Sequence, residues 1–221
     1  DATSQLMALR FAPAETTQVY METVQQYCQQ HGRPVALYSD KHSIFRVNRP
    51  DNEGEITQFT RAIKTLDIEP IHANTPQAKG RVERANQTLQ DRLVKEMRLQ
   101  GIDTIDKANA FLPHFIDDYN RRFAVPPRHQ ENAHRPVLHN AEELTQIFSI
   151  HHQRILSKNL TCQLNNMQYQ LQGYGNGYRL RGTTITVCET FDGNVTLLHD
   201  GKALAYQCLQ QGQESVPIKD E

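Results

Sequence analysis

The pattern of the chain changes between residues 123 and 153, and this change limits the folds that it can adopt. Before it, short apolar runs alternate with segments whose apolar residues recur at helical spacing. Buried strands that alternate with amphipathic helices predict an α/β layer with a parallel component. After it, short strands are separated by turn residues such as Asp192-Gly193 and Asp200-Gly201, which predict a small all-β barrel or sandwich.

The predicted elements follow the apolar pattern in chain order. In the first part they are strands over residues 3–11, 34–40 and 68–73, and helices after Pro13 and over residues 56–66, 82–101 and 104–122. In the last part the predicted strands are "LTCQL", "MQYQLQ", "GYRLRG", "TITVCE", "VTLLH" and "ALAYQCL".

Prolines and arginines concentrate between these two parts. Residues 121–135 contain four arginines, Arg121, Arg122, Arg128 and Arg135, and only one acidic residue, Glu131. This stretch is either part of a basic surface for a polyanion or a solvated connector. The predicted domains are therefore residues 1–123, a Pro/Arg-rich linker with a short helix over 124–152, a β-domain over 153–211 and a flexible tail over 212–221.

The overall charge gives no bulk attraction to nucleic acid. The chain has 24 Lys and Arg against 25 Asp and Glu, a net charge of -1, so any site for a polyanion must be a local patch. It has no apolar run of roughly 18 residues and no signal-peptide pattern, which predicts a cytoplasmic protein without a membrane partner. The four cysteines are far apart and the histidines lack cysteine partners, so buried thiols and surface histidines are expected rather than a zinc site.

Two carboxylates stand where elements of an α/β sheet converge. Asp40 ends a buried strand, and Glu83 is predicted in the first turn of the helix that follows the next strand. Strand carboxyl ends and helix amino ends share one rim of such a sheet, so both can face a common pocket. The structural alternative is that Asp40 caps a turn and that the helix dipole favours Glu83.

Polar side chains surround Glu83 in the sequence. Lys79, Arg81 and Arg84 make either surface ion pairs or, together with the helix N–H groups, a phosphate-binding surface. Asn86, Gln87 and Gln90 continue a polar face at three, four and seven residues beyond Glu83, and they either bind a nucleic acid or are solvated.

The stretch "NTPQAKGRVERANQTLQ" resembles the third-acid motif of the integrase catalytic core in DDE transposases and retroviral integrases, with Glu83 in the place of the glutamate. "ALYSD" resembles the second-acid strand and gives that role to Asp40, while "DATSQLMALRF" resembles the strand after the first acid in insertion-sequence transposases. "YRLRGTTITVCETFDGNVTLLHDGKAL" is similar to their small carboxyl-terminal β-domain. After Asp40 this chain has Lys41-His42-Ser43, where retroviral members often have Asn-Gly.

The resemblance implies a ribonuclease-H-like integrase core, a mixed sheet with flanking helices, followed by the β-barrel. The first catalytic Asp and its strand, and an amino-terminal helix-turn-helix, are then expected ahead of Asp1, so residues 1–123 are a partial core and this piece alone is expected to be inactive. Asp1 itself corresponds to a non-catalytic aspartate.

The implied reaction is phosphoryl transfer on DNA with two Mg²⁺ or Mn²⁺ ions, held by Asp40, Glu83 and the upstream Asp. The implied DNA contacts are Lys79, Arg81, Arg84, Asn86, Gln87 and Gln90, and the implied partners are transposon ends, target DNA and further copies of the chain. The alternatives are an inactive transposase remnant that binds DNA or supports assembly, and another nuclease on the same sheet.

Overall fold

The computed structural model describes residues 3–39, 44, 56–72, 76–127, 131–173 and 178–209, without the side chains of residues 76–79, 81, 82, 84, 85 and 178. The chain divides into two compact units, Asp1–Asn140 (unit 1) and Ala141–Glu221 (unit 2). None of the helices in these ranges is long and apolar enough to cross a membrane.

Unit 1 contains four helices and two strands within its described ranges. They are α1 (Thr17–His31), β1 (Ala36–Ser39), α2 (Gln58–Thr65), β2 (Glu69–His72), α3 (Pro76–Leu99) and α4 (Ile105–Phe123). Three of the helices begin after a threonine, Thr16, Thr57 or Thr104, whose hydroxyl accepts from a backbone N–H in the first turn. These caps accept hydrogen bonds from amide groups that a helix end leaves unpaired. They therefore stabilise the start of each of these three helices.

The sheet of unit 1 is parallel in its described part. β1 pairs with β2, in a register that runs from Ala36 opposite Glu69 to Ser39 opposite His72. The connection between them contains α2, which buries Phe59, Ala62 and Ile63. This strand, helix and strand arrangement confirms the predicted parallel component, and the other strands of a mixed sheet stay a prediction.

The predicted strand over residues 3–11 is wrong, since no residue of this segment lies in a β-ladder. Its backbone bonds come from side-chain amides of α4: Leu6 N–H donates to Asn120 Oδ1 at 2.7 Å, and Phe11 N–H donates to Asn109 Oδ1 at 2.9 Å. Each amide also donates back to the carbonyl of the same residue, at 2.9 and 3.0 Å. The alternating apolar residues pack on helices, and so the pattern of a strand appears without strand pairing.

α3 and α4 share the apolar cluster on which that segment packs. Its buried members come from both helices: Leu93, Phe111, Leu112, Phe115 and Tyr119. Leu89 and Met97 of α3 pack against the cluster from the same helical stripe, as the sequence predicts.

The predicted linker over residues 124–152 is divided between the two units. Arg135 forms an antiparallel bridge with Arg33, and its carbonyl lies 2.7 Å from where a Cβ on Gly32 would stand. Gly32 also has a φ of 87°, so this close approach after α1 requires glycine. The predicted short helix is α5 (Ala141–Ile147), and it is followed within the same stretch by a strand that the sequence did not indicate, β3 (Ile150–Ile155).

Unit 2 consists otherwise of antiparallel strands. They are β4 (Thr161–Leu164), β5 (Met167–Leu171), β6 (Thr184–Glu189), β7 (Val195–His199), β8 (Lys202–Leu204) and β9 (Tyr206–Leu209). The order β3-β6-β7-β8 forms one sheet and β4-β5-β9 another. The all-β expectation therefore holds for the described strands, while closure into a barrel stays a prediction.

Two details of unit 2 differ from the sequence prediction. "GYRLRG" is not a strand, because Tyr178–Leu180 forms a 3₁₀ turn. "ALAYQCL" is two strands in different sheets, with Ala205 between them. A single apolar cluster nevertheless unites both sheets, with Leu160, Tyr169, Val187 and Leu197 among its buried members.

Candidate metal and nucleic-acid site

The carboxyl ends of β1 and β2 lie side by side. Ser39 and His72, the last residues of the two strands, are register partners, and Ser39 Oγ lies 3.1 Å from His72 Nδ1. Asp40 follows Ser39 in the sequence but lies outside the described residues, and α3 begins four residues after His72. The chain therefore leaves β1 towards Asp40 and β2 towards α3 from the same edge of the sheet.

Glu83 is not in the first turn of its helix, contrary to the sequence prediction. α3 begins at Pro76, seven residues earlier, so Glu83 lies about two turns into the helix, roughly 10 Å along its axis. Proline is favoured at the first helical position, where its missing N–H is not needed, and Gly80 is accommodated inside the helix. The helix dipole acts mainly on the first turn and therefore does not explain a carboxylate at Glu83.

The predicted polar face of α3 is open to solvent where it is described. Glu83, Asn86, Gln87 and Gln90 are all exposed. Lys79, Arg81 and Arg84 lie within α3, but their side chains are outside the described part, so their phosphate contacts stay a prediction. The exposed residues recur at helical spacing and form a stripe that a DNA backbone can reach.

The adjoining face of α3 is held against α4. Leu93 is buried in the shared cluster, and the guanidinium carbon of Arg92 lies 4.7 Å from the centre of the Phe123 ring. Apolar packing and this cation–π contact fix the rotation of α3 about its axis. That rotation turns the stripe carrying Glu83 towards solvent.

The two carboxylates predicted as ligands have the donor chemistry that suits a hard divalent cation. Mg²⁺ takes carboxylate oxygens and keeps several waters, so few protein ligands are needed. Of the two predicted ligands, the exposed carboxylate of Glu83 is described and Asp40 is not. Within the described ranges, no three His, Cys, Asp or Glu side chains gather as they would around a metal ion.

The arginines of residues 121–135 are largely engaged by carboxylates. Arg122 lies 2.8 Å and Arg121 3.8 Å from Asp118, and Arg135 lies 3.2 Å from Asp67. Arg128 is outside the described residues. These pairs lie at the surface, where ion pairs contribute little to stability, so both interpretations, a basic surface for a polyanion and a solvated connector, stay predictions.

One histidine expected at the surface belongs to a half-buried ring cluster. His134 Nε2 lies 2.5 Å from the Tyr27 hydroxyl, and the exposed ring of His31 is tilted against both, with ring centres 5.0 Å from Tyr27 and 6.5 Å from His134. Burial raises the pKa of Tyr27 above its ordinary value. The rings are packed together, and no metal-binding role is indicated for them.

Three of the four cysteines are buried, as expected, and Cys208 is exposed. Burial raises the pKa of Cys28 to about 11, so its thiol stays protonated and unreactive at neutral pH.

Sequence reasoning missed the contact between Ser39 and His72. Its signal was present, because each is a polar residue at the last position but one of a predicted apolar strand. Only the register of the parallel pair shows that the two face each other.

Comparison with known proteins gives matches along nearly the whole chain. Residues 64–122 match the family described as Integrase core domain. The chain is 41% identical over 215 residues, 96% of its length, to "Putative transposase y4bF" of Sinorhizobium fredii (strain NBRC 101917 / NGR234), of which it covers 47%. It is 30% identical over 202 residues, 89% of its length, to "Transposase for insertion sequence IS1202" of Streptococcus pneumoniae, of which it covers 43%.

A solved structure shows a more distant likeness. It is the cryo-EM structure of a simian T-cell lymphotropic virus intasome in complex with PP2A regulatory subunit B56 gamma. The alignment covers 88% of this chain and 65% of the matched chain in that structure. The identity is 17% and the TM-score 0.39. The two sequence relatives carry more weight, although the chain spans less than half of either. The integrase core match, together with the parallel strand pair and its helices, supports an integrase-type α/β core for unit 1.

Proposed function

We propose that the protein is a DNA transposase. The premise is that this chain belongs with insertion-sequence transposases that carry a retroviral integrase-like core. The protein cuts DNA at transposon ends and joins the freed 3′-hydroxyl to target DNA. The observation that carries this proposal is 41% identity over 96% of the chain to a protein named as a transposase. The integrase core match over residues 64–122, which contains Glu83, gives independent support.

The site of this reaction is the edge where β1 and β2 end. Asp40 and Glu83 are the carboxylates that hold Mg²⁺ or Mn²⁺, together with an aspartate from the sequence ahead of Asp1. A bound divalent ion supplies a Lewis acid for the scissile phosphate and lowers the pKa of the attacking hydroxyl or water. Lys79, Arg81 and Arg84 neutralise neighbouring phosphates, and the exposed amides of Asn86, Gln87 and Gln90 donate to the DNA backbone.

The test uses the protein with the sequence that precedes this chain in its reading frame. With Mg²⁺ and DNA carrying its own element ends, it is expected to release 3′-ends and join them to a second duplex. Metal ions contribute several kcal/mol of transition-state stabilisation, so Asp40→Asn and Glu83→Gln are each expected to slow joining about 100-fold or more.

The matched control is Asp91→Asn on the same helix. Asp91 is an exposed carboxylate eight residues beyond Glu83 and pairs with Lys95. Its replacement removes a charge from α3 without touching the proposed site, and joining is expected at the wild-type rate. Wild-type activity in Glu83→Gln would reject the site. DNA binding without cleavage, at any Mg²⁺ concentration, would instead favour the inactive remnant.

A further inference from the structure

The contact between Ser39 and His72 ties the two strand ends from which the proposed carboxylates follow. The pair lies at the final register position of β1 and β2, with 3.1 Å between Oγ and Nδ1, and both residues are half-buried. In the described ranges, β1 and β2 pair over four residues each, and a contact between cross-strand side chains contributes to the stability of such a pair.

The chemistry of the pair makes this tie insensitive to the protonation of the ring. A serine hydroxyl can donate or accept a hydrogen bond. It donates to Nδ1 when that nitrogen carries no proton and accepts from it when it does. The tie is therefore present in either tautomer and in the charged ring.

We propose that Ser39 and His72 are positioning residues that hold together the ends of β1 and β2, from which the sequence continues to Asp40 and to α3. This inference rests on the proposed function. Asp40 follows Ser39 directly in the sequence. Three residues connect His72 to α3, whose packing against α4 then fixes the direction of Glu83. Separation of the strand ends would therefore act on the two segments that lead to the proposed carboxylates.

Two-metal phosphoryl transfer has a narrow geometric tolerance. Displacement of a reacting group by about 1 Å costs roughly 100-fold in rate. Loss of the tie is thus expected to reduce the rate of the chemical step without removing any group that touches metal or DNA.

The experiment is a double-mutant cycle in the same extended protein. Ser39→Ala and His72→Phe each remove one partner, and each is expected to slow joining by about 10- to 100-fold at saturating DNA, with DNA affinity unchanged. The double variant is expected to be no slower than the slower single variant, because both changes break one bond. His72→Asn places a polar atom at the δ position of Nδ1 and is expected to recover most of the rate.

A second measurement needs no catalysis. Amide hydrogen exchange at residues 36–39, 69, 71 and 72 is expected to accelerate in Ser39→Ala and His72→Phe and to be unchanged elsewhere in unit 1. The matched control is Gln153→Ala, which removes another cross-strand pair, Gln153 Nε2 to Thr186 Oγ1 at 3.1 Å in unit 2. It is expected to leave both the joining rate and the exchange of β1 and β2 as in the wild type.

The outcomes separate this inference from the proposed function. Unchanged exchange at the strand ends, or rate effects that multiply in the double variant, would overturn the positioning role. An inactive wild type, or an active Glu83→Gln variant, would reject the proposed function. A third outcome is faster exchange at the strand ends with a wild-type joining rate in both single variants. It would show that the contact exists but does not position the site, and it would also overturn the inference.

Discussion

In unit 2, strands β3 to β9 pair their backbone N–H and C=O groups with one another, whereas in unit 1 the segment over residues 3–11 obtains such bonds from asparagine side chains. Five residues of extended chain, from Leu6 to Phe11, span about the same 16 Å as eleven helical residues, from Asn120 back to Asn109. The two amide contacts thus fit a segment that lies antiparallel along α4. Thr3, whose carbonyl accepts from Val125 N–H, continues the same direction.

The difference shows which kinds of contact stabilise each unit. Unit 2 depends on strand pairing around one apolar cluster. Unit 1 has a cluster between α3 and α4 as well, but it also uses a few polar contacts between residues far apart in sequence. Asn120 with Leu6, and Arg33 and Arg135 with Asp67, are such contacts. Replacing single residues of each kind tests this contrast.

The largest effect is expected from a cavity in the cluster of unit 2. Leu197 on β7 is fully buried there. Leu197→Ala is expected to lower the free energy of unfolding of this unit by about 2–5 kcal/mol, since it removes buried methyl groups and leaves a cavity. Denaturant titration followed by circular dichroism measures the change, and hydrogen exchange assigns it to unit 2.

Ile155→Ala is the control, because Ile155 lies on β3 of the same unit and is 69% exposed. It is expected to cost less than about 1 kcal/mol. Equal losses in the two variants would contradict the conclusion that the apolar cluster holds unit 2 together.

An intermediate effect is expected when unit 1 loses one asparagine contact. Asn120→Ala leaves the N–H and C=O groups of Leu6 without the side chain that pairs them, at a cost of about 1–3 kcal/mol in the free energy of unfolding. Thermal unfolding measures this loss, and faster exchange of the Leu6 amide is expected to accompany it.

Gln153→Ala in unit 2 serves as the comparison. Its side chain is exposed, and its backbone groups belong to the β3–β6 ladder. Its replacement is expected to change the free energy of unfolding by less than about 0.5 kcal/mol. A similarly small change in Asn120→Ala would show that residues 3–11 have another source of backbone pairing.

These contrasts also explain which parts of the fold the sequence could predict. The stripe of Phe59 and Ile63 is a local signal, and the helix that it predicts is present. The alternating residues over 3–11 were misread because a two-residue period reports burial of one face, while strand pairing depends on a partner distant in sequence.

The candidate site was predictable in the same partial way. The apolar runs identified β1 and β2, and their shared carboxyl edge follows from parallel pairing. The position of Glu83 within α3 was misjudged, because Pro76 is compatible with both a turn and the first residue of a helix. The contact between Ser39 and His72 required the register, which short apolar runs do not encode.

The smallest effect is expected at the exposed carboxylate of Asp67. A hydrogen bond and the charge of Arg33 lower the pKa of Asp67, with a smaller contribution from Arg135. A carboxyl whose pKa is lower in the folded state stabilises that state above its unfolded pKa, about 3.9, and the contribution disappears as the pH falls through the folded value. Wild type and Asp67→Asn are therefore expected to differ in thermal midpoint at pH 7 and to converge below pH ~4, with a smaller difference in high salt.

The comparison in unit 2 is Asp192→Asn. The pKa of Asp192 is also lowered, chiefly by a hydrogen bond from Thr190, but its partners lie within the turn between β6 and β7. Arg33 and Arg135 are 102 residues apart, and their backbone N–H and C=O groups bond to each other at 2.9 Å. Loss of Asp67 is expected to accelerate amide exchange at both residues. Loss of Asp192 is expected to affect only its own turn. If the faster amide exchange in Asp67→Asn were confined to residues 66–68, a long-range role for this carboxylate would be contradicted. Of the polar contacts contrasted above with unit 2, those of the α4 asparagines would then remain.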